Sequence, residues 1–305
     1  MIEGLRARHH RPANYAGRVP LATTPRPTGT RHLTVWADGI LLDDPTQPVV
    51  AASDHGLVVG DGVFEALKIT QAGPFAVRRH LDRLTRSATA LGLPPPDHAR
   101  IRAAVDEVMA HGGEGFGRLR ITYTGGRGPL ASHAPYGPPT LLVAAEPADV
   151  PAASAVLVTS PWTRNENGAL AGVKSISYAE NVRTLAFATA QGATEAILLN
   201  TAGRVCEGTG TNVFVIKDGR VVTPPLSAGP LAGITRELIL EWYEVEERDF
   251  TLAEALAADE VFLTSSLRDV QPVRQWDEVD FDPMHPVTDE VAAIFAARST
   301  AEIDP

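Results

Sequence analysis

Apolar positions along the chain follow two periods, and they change over in sharp steps. LTVWADGILL is a pair of short apolar runs broken by Asp38-Gly39, which predicts a β-hairpin. The Gly-rich stretch SDHGLVVGDGVFEALKIT leads into a strand. Across PFAVRRHLDRLTRSATALGL the period turns helical, with Leu81, Leu84, Ala88 and Leu91 on one face, and Pro94 to Pro96 stop it. HARIRAAVDEVMAHG predicts a second helix. GRLRITYTG and PTLLVAAE predict strands, the latter an apolar run typical of a buried one.

EPADVPA (146–152) reads as a linker. Beyond it come a strand, SAVLVTS, a loop, PWTRNENGALAGVKSIS, and a helix from about Tyr178 to Gln191. TEAILLN, NVFVIKDG and RVVTPP predict an antiparallel meander turned at Ala202-Gly203 and Asp218-Gly219. GITRELILEWYEV predicts a helix with Thr235 near its start, DEVFLTSS a strand, and VTDEVAAIFAARST a terminal helix. The pattern is α+β in two halves: a smaller α/β domain over 31–147 and a larger one over 148–305. Residues 1–30 show no periodicity and are rich in Arg, Pro, Thr and Gly, which predicts a flexible extension.

Composition narrows the picture in three places. No apolar run approaches the roughly 18 residues of a membrane span, and the start MIEGLRARHH lacks a signal peptide's apolar core, so a cytoplasmic location is expected. The net charge of −10 argues against a nucleic-acid partner, although residues 1–30 hold five Arg against one Glu. A single cysteine, Cys206, excludes an internal disulfide and a Cys-based zinc site. There are only three lysines, Lys68, Lys174 and Lys217, among 27 basic residues.

Any chemistry that needs a side-chain primary amine must use one of those three. Lys217 precedes Asp218-Gly219 and reads as an exposed turn residue. Lys68 lies in a strand and reads as a rim residue. Lys174, at the junction of a loop and a helix, can face a cleft, where burial lowers an amine's pKa and permits a Schiff base. Glu207, at a strand end before a Gly/Thr turn, either binds the turn's amides or faces a heterocyclic nitrogen. Gly233-Ile234-Thr235 at a helix start, the hydroxyls of Thr264, Ser265 and Ser266, and the charged fork of Arg83 are candidate phosphate donors. One amine, one carboxylate and an anion site together meet the needs of pyridoxal phosphate.

Six ordered segments carry a resemblance: GDGVFEALK, HLDRL, GVKSISYAENV, EAILLN with CEGTGTNVFV, LAGITRE, and FLTSSLRDVQPV. From about Trp36 to Val273 the chain resembles the fold-type IV (class IV) pyridoxal-phosphate enzymes, which include branched-chain and D-amino-acid aminotransferases and aminodeoxychorismate lyases. The resemblance implies two α/β domains with pyridoxal 5'-phosphate between them, a small-molecule amine substrate and a homodimer. It implies Lys174 as the Schiff-base and catalytic lysine, Glu207 at the pyridine nitrogen, and Arg83, Ile234, Thr235 and Ser266 at the phosphate. Tyr178 lies near the tyrosine that contacts the phenolic oxygen, one residue closer to the lysine than in branched-chain enzymes. Phe64, Arg127, Ser265 and Leu267 are the expected substrate contacts. D-amino-acid transaminases clamp the substrate carboxylate with an Arg and a His after the RLRITYT strand, where this chain has Leu130 and Ser132. SYAENV and LTSSLRDVQPV most resemble aminodeoxychorismate lyases, so the expected reaction forms pyruvate and 4-aminobenzoate. A class IV aminotransferase is the alternative and a non-catalytic binding protein the remote one. No G-x-G-x-x-G follows a strand to suggest a Rossmann dehydrogenase.

Overall fold

The computed structural model describes residues 33–112 and 115–305. The expected extension over 1–30 lies outside the described residues. The N-terminal stretches of period two form one sheet of six strands: β1 (Thr34–Ala37), β2 (Ile40–Leu41), β3 (Gly62–Thr70), β4 (Gly73–Pro74), β5 (Gly117–Thr124) and β6 (Thr140–Pro147). Their order is β2-β1-β6-β5-β3-β4, and every neighbouring pair is antiparallel. The hairpin at Asp38-Gly39 has both residues at positive φ, as a two-residue turn between right-twisted strands requires. A one-turn helix, α1 (His55–Val58), precedes β3. The helices α2 (Val77–Ala90) and α3 (His98–Gly112) pack on the sheet.

Alternation decides which face meets them. Along β5, Leu119, Ile121 and Tyr123 point into a core shared with Leu81, Leu84 and Ala88 of α2. Arg118 and Arg120 point the other way. β6 alternates likewise, with Leu141, Val143 and Ala145 inward, so it has one buried face rather than two. Leu91, expected on the helix face, lies just past α2 and packs on the same core.

The C-terminal sheet has nine strands: β7 (Ala155–Arg164), β8 (Glu195–Asn200), β9 (Val205–Gly208), β10 (Asn212–Lys217), β11 (Arg220–Thr223), β12 (Val245–Glu247), β13 (Glu260–Ser265), β14 (Asp269–Trp276) and β15 (Val279–Asp280). The order is β12-β11-β10-β13-β14-β7-β8-β9, with β15 on β14. The pairs β11–β12, β14–β7 and β7–β8 are parallel. Four helices accompany it: α4 (Ala179–Ala190), α5 (Ile234–Trp242), α6 (Leu252–Leu256) and α7 (Pro286–Ala301). One core holds Leu157, Ile197, Val213, Leu263 and Trp276; another joins Phe214, Phe262, Leu238 and Phe295 to Phe75 and Ala76 of the N-terminal half.

Two expectations change. The meander is two separate hairpins, β8–β9 and β10–β11, with β13, β14 and β7 between them in the sheet. Between β9 and β10, Gly208 N–H donates to the Thr211 carbonyl at 2.8 Å and closes a short turn, but no ladder follows it; the Thr209 amide and the Thr209 and Thr211 hydroxyls go to the buried carboxylate of Glu195. β7 also runs through Pro161–Arg164, which sequence pattern assigned to a loop. Among the described residues no helix is long and apolar enough to cross a membrane.

Candidate active site

A cavity of about 330 Å³ opens between the helix α2 and the C-terminal sheet. Lys174, Arg83, Tyr178, Glu207, Ile234, Thr235, Ser265 and Ser266 all line it. These residues are spread over 184 positions of sequence and converge because two backbone connections tie the halves together. The segment after the Asn165–Val173 loop runs along β3: Phe64 N–H donates to the Lys174 carbonyl at 3.0 Å, and Ile176 N–H to Gly62 O at 2.9 Å. Lys174 N–H donates to Ser87 Oγ on α2 at 3.2 Å. One turn earlier on the same helix face, Arg83 Nη1 donates to the Ala232 carbonyl at 2.8 Å, just before α5.

The Lys174 amine sits 4.5 Å from the Phe64 ring centroid and 5.8 Å from that of Tyr178. The two rings meet edge to face at 5.0 Å. Burial, and then the Arg83 charge, lower the lysine's pKa from 10.5 to about 8. Burial, then Glu207, push the Tyr178 phenol up to about 12. Glu207 accepts Leu231 N–H at 2.9 Å and faces Arg164 Nε at 3.3 Å. Burial raises its pKa, against the pull of Arg164 and the amide.

The far end of the cavity is rich in donors. α5 starts at Gly233 with no side-chain cap, so its first amides are without a side-chain acceptor. A Cβ on Gly233 would lie 2.0 Å from Asn212 Oδ1, which explains the glycine there. Arg83 gives three N–H bonds, two to Glu65 and one to Ala232, leaving two of a guanidinium's five. Thr264 Oγ1 is buried without a hydrogen-bond partner. Burial opposes ionisation of Glu65, but the Arg83 charge, its hydrogen bonds and His80 outweigh it and hold the carboxyl down at about 2.

Phe64 lies against Lys174 rather than in the lining itself. Arg127 is exposed and outside the cavity. Leu267 lines a different concavity, beside Arg118, Arg268 and Gln271. Sequence reasoning passed over Arg164, whose partners Glu180 and Glu207 are 16 and more residues away, and Arg120, whose guanidinium stacks 3.9 Å from the Phe64 ring centroid. Arg120's outward place on β5 was a readable signal; Arg164 had none.

The model of the amino-transferase class IV family matches residues 62–276, most of the chain and every cavity-lining residue named above. The chain belongs to the class IV aminotransferases. Members of this family depend on pyridoxal phosphate. The chain is 31% identical over 261 residues to the bifunctional aminodeoxychorismate lyase / D-amino acid transaminase of Mycobacterium tuberculosis, covering 77% of this chain and 88% of that one. A branched-chain aminotransferase of Thermoproteus uzoniensis, solved with norvaline, superposes with a TM-score of 0.80 at 28% identity, over 86% of this chain and 93% of that one. A hypothetical aminotransferase of Mycobacterium tuberculosis in its PLP-bound form does so with a TM-score of 0.76 at 30% identity, over 87% and 98%. The mixed α/β fold of these aminotransferases is thus shared over most of the chain. Among the described residues no cluster of His, Cys, Asp or Glu is arranged to hold a metal.

Proposed function

We propose that this class IV enzyme is a 4-amino-4-deoxychorismate lyase of folate synthesis, releasing pyruvate and leaving 4-aminobenzoate. The observation that carries the cofactor chemistry is the meeting of three features in one cavity: the Lys174 amine, the Glu207 carboxylate and the uncapped start of α5. The donor set fits a phosphorylated aldehyde. The spare N–H groups of Arg83, the amides of Ile234 and Thr235, the lone Thr264 hydroxyl and Ser266 suit a phosphate. Lys174 would hold the aldehyde carbon, Glu207 the pyridine nitrogen, and Tyr178 the phenolic oxygen. When bound, pyridoxal phosphate supplies a sink for electrons released beside the substrate nitrogen.

This chain's own residues do the rest. With its amine free, Lys174 Nζ would take the proton from the carbon that bears the substrate amine; a pKa of about 8 suits a base at neutral pH. Glu207 would keep the ring nitrogen protonated, with Arg164 and the Leu231 amide favouring its charged form against burial. Phe64 and Tyr178 confine the lysine to one side. The lyase reading is supported by the SYAENV and LTSSLRDVQPV segments, by the bifunctional relative, and by the loop after β5, where Leu130 stands 79% exposed in place of a cationic clamp.

The second reading, an aminotransferase acting on branched-chain or D-amino acids with 2-oxoglutarate, is favoured by Arg120. Its guanidinium beside Phe64 offers a partner to a dicarboxylate's far end. Supplying aminodeoxychorismate separates the two: the lyase reading expects 4-aminobenzoate and pyruvate in equal amounts. Conversion of an amino acid with 2-oxoglutarate, and no aromatic product, decides for the aminotransferase.

Three further expectations belong to the same proposal. The sheets' separate cores support domains at 31–147 and 148–305 with the cavity between them. Exposed Leu57 and Tyr136 support a second copy of the chain as partner. A free, buried Cys206 suits a reducing cytoplasm.

A further inference from the structure

Glu195 is the only fully buried acid in β8, and none of the roles above uses it. One carboxylate oxygen accepts the amide N–H groups of Ala196 at 3.1 Å and Thr209 at 3.0 Å, together with the Thr209 hydroxyl. The other accepts the Thr211 hydroxyl at 3.3 Å and pairs with Arg268 Nη2 at 3.5 Å. Thr209 and Thr211 form a wall of the cavity, immediately after Glu207. A Cβ on Gly208 would fall 2.1 Å from Thr211 Oγ1 and 3.2 Å from the Glu195 carboxyl carbon, so the turn is built closely around this one side chain.

Arg268 leads to the opposite wall. Its amide N–H donates to Ser265 Oγ at 3.2 Å and closes the turn that presents Ser265 and Ser266 to the cavity. Its Nη1 donates to Gln271 Oε1 at 3.0 Å, and Gln271 Nε2 to the Ala152 carbonyl at 2.6 Å in the stretch joining the two sheets. The next residue, Asp269, has positive φ and binds Lys68 Nζ of β3 through both oxygens, at 2.7 and 2.6 Å. The turn is therefore held at adjacent residues, one anchored through Glu195 to the C-terminal sheet and the other to the N-terminal sheet.

We propose that Glu195 is a positioning residue, which sets the Thr209–Thr211 wall directly and the Ser265–Ser266 wall through Arg268. The inference rests on the assignment of the cavity to pyridoxal phosphate, with Ser266 at its phosphate. Its consequence is specific: breaking the Glu195–Arg268 link frees the phosphate-facing turn and leaves the groups around the ring in place. Glu195→Gln keeps an oxygen for the Thr209 amide but presents an amide group to Arg268. Arg268→Met keeps the unbranched apolar stem of the side chain and removes its donors.

The experiment measures dissociation constants of the apoprotein for pyridoxal phosphate and for pyridoxal, which has no phosphate, by tryptophan quenching, with melting temperatures alongside. Each variant is expected to weaken pyridoxal phosphate by about tenfold. Pyridoxal should move much less, and the double variant should be no worse than the weaker single. Retention of wild-type affinity for pyridoxal phosphate by Arg268→Met overturns the proposal. Equal loss for both ligands with a lowered melting temperature also overturns it, because that is the mark of a merely structural role. Should wild-type protein give no borohydride-stable adduct at Lys174, the underlying cofactor assignment fails instead, and the two failures are told apart.

Discussion

Burial acts on Lys174 and Glu207 in the same sense, towards the neutral form, and the neighbouring charges then distinguish them. For the lysine, Arg83 adds to burial. The free amine is protonated below about pH 8 and nucleophilic above it. Uptake of pyridoxal phosphate by the apoprotein should therefore quicken with pH and level off above about 8, as stopped-flow absorbance will show; a rise continuing to the ordinary lysine range near 10.5 would contradict this. For the glutamate, Arg164 opposes burial. Glu207→Gln removes the carboxylate that would hold the cofactor's ring nitrogen protonated and that faces Arg164. The expected outcome is a loss of about 10²-fold in kcat with the protein still folded by circular dichroism; kcat within a factor of a few of wild type would contradict the role. Both residues were legible because each stands in a motif with few competitors: three lysines, and one acid before a Gly/Thr turn. Arg164 was not, since arginines are abundant here and its partner Glu207 comes from another strand; Arg120 showed only as an outward position on β5, with nothing in the sequence to bring it to Phe64.

At the level of elements, the site depends on how the Lys174 segment lies on β3. Gly62 permits it: an added Cβ would fall 2.9 Å from both Ile176 Cδ1 and Tyr123 O. Gly62→Ala should cost about 1–3 kcal/mol by overpacking. The same change should lower cofactor occupancy, because Ile176 is two residues from Lys174; a variant with an unchanged melting temperature and the full visible absorbance of the loaded wild type would dismiss the argument. Helix periods and two-residue turns were readable from pattern, as α3 and the Asp38-Gly39 hairpin show. The split of the β8–β11 meander was not. It depends on Glu195 gathering hydroxyls from a turn 14 residues away, and pairing partners such as β13 come from much later in the chain.

Over the whole molecule, the buried Glu65–Arg83–His80 group links stability to pH. The Glu65 pKa falls from 4.5 in an unfolded chain to about 2 in the fold. A depressed carboxyl stabilises the folded form fully above pH 4.5, and that contribution is lost as pH falls from 4.5 towards 2. It amounts to about 3 kcal/mol, so urea midpoints should drop steeply over that interval and less steeply in Glu65→Gln. The mixed α/β character and the convergence of eight expected residues on one cavity were legible in the sequence; the connection of the halves through Phe75, Ala76 and Ala232 was not, because no local pattern records it. The scarcity of lysine makes the central claim open to a direct test. Reduce the protein with borohydride after loading it with pyridoxal phosphate, digest it, and locate the pyridoxyl group by mass spectrometry among Lys68, Lys174 and Lys217. The label is expected on Lys174 alone; a label on Lys68 or Lys217, or none, would contradict the assignment of this cavity.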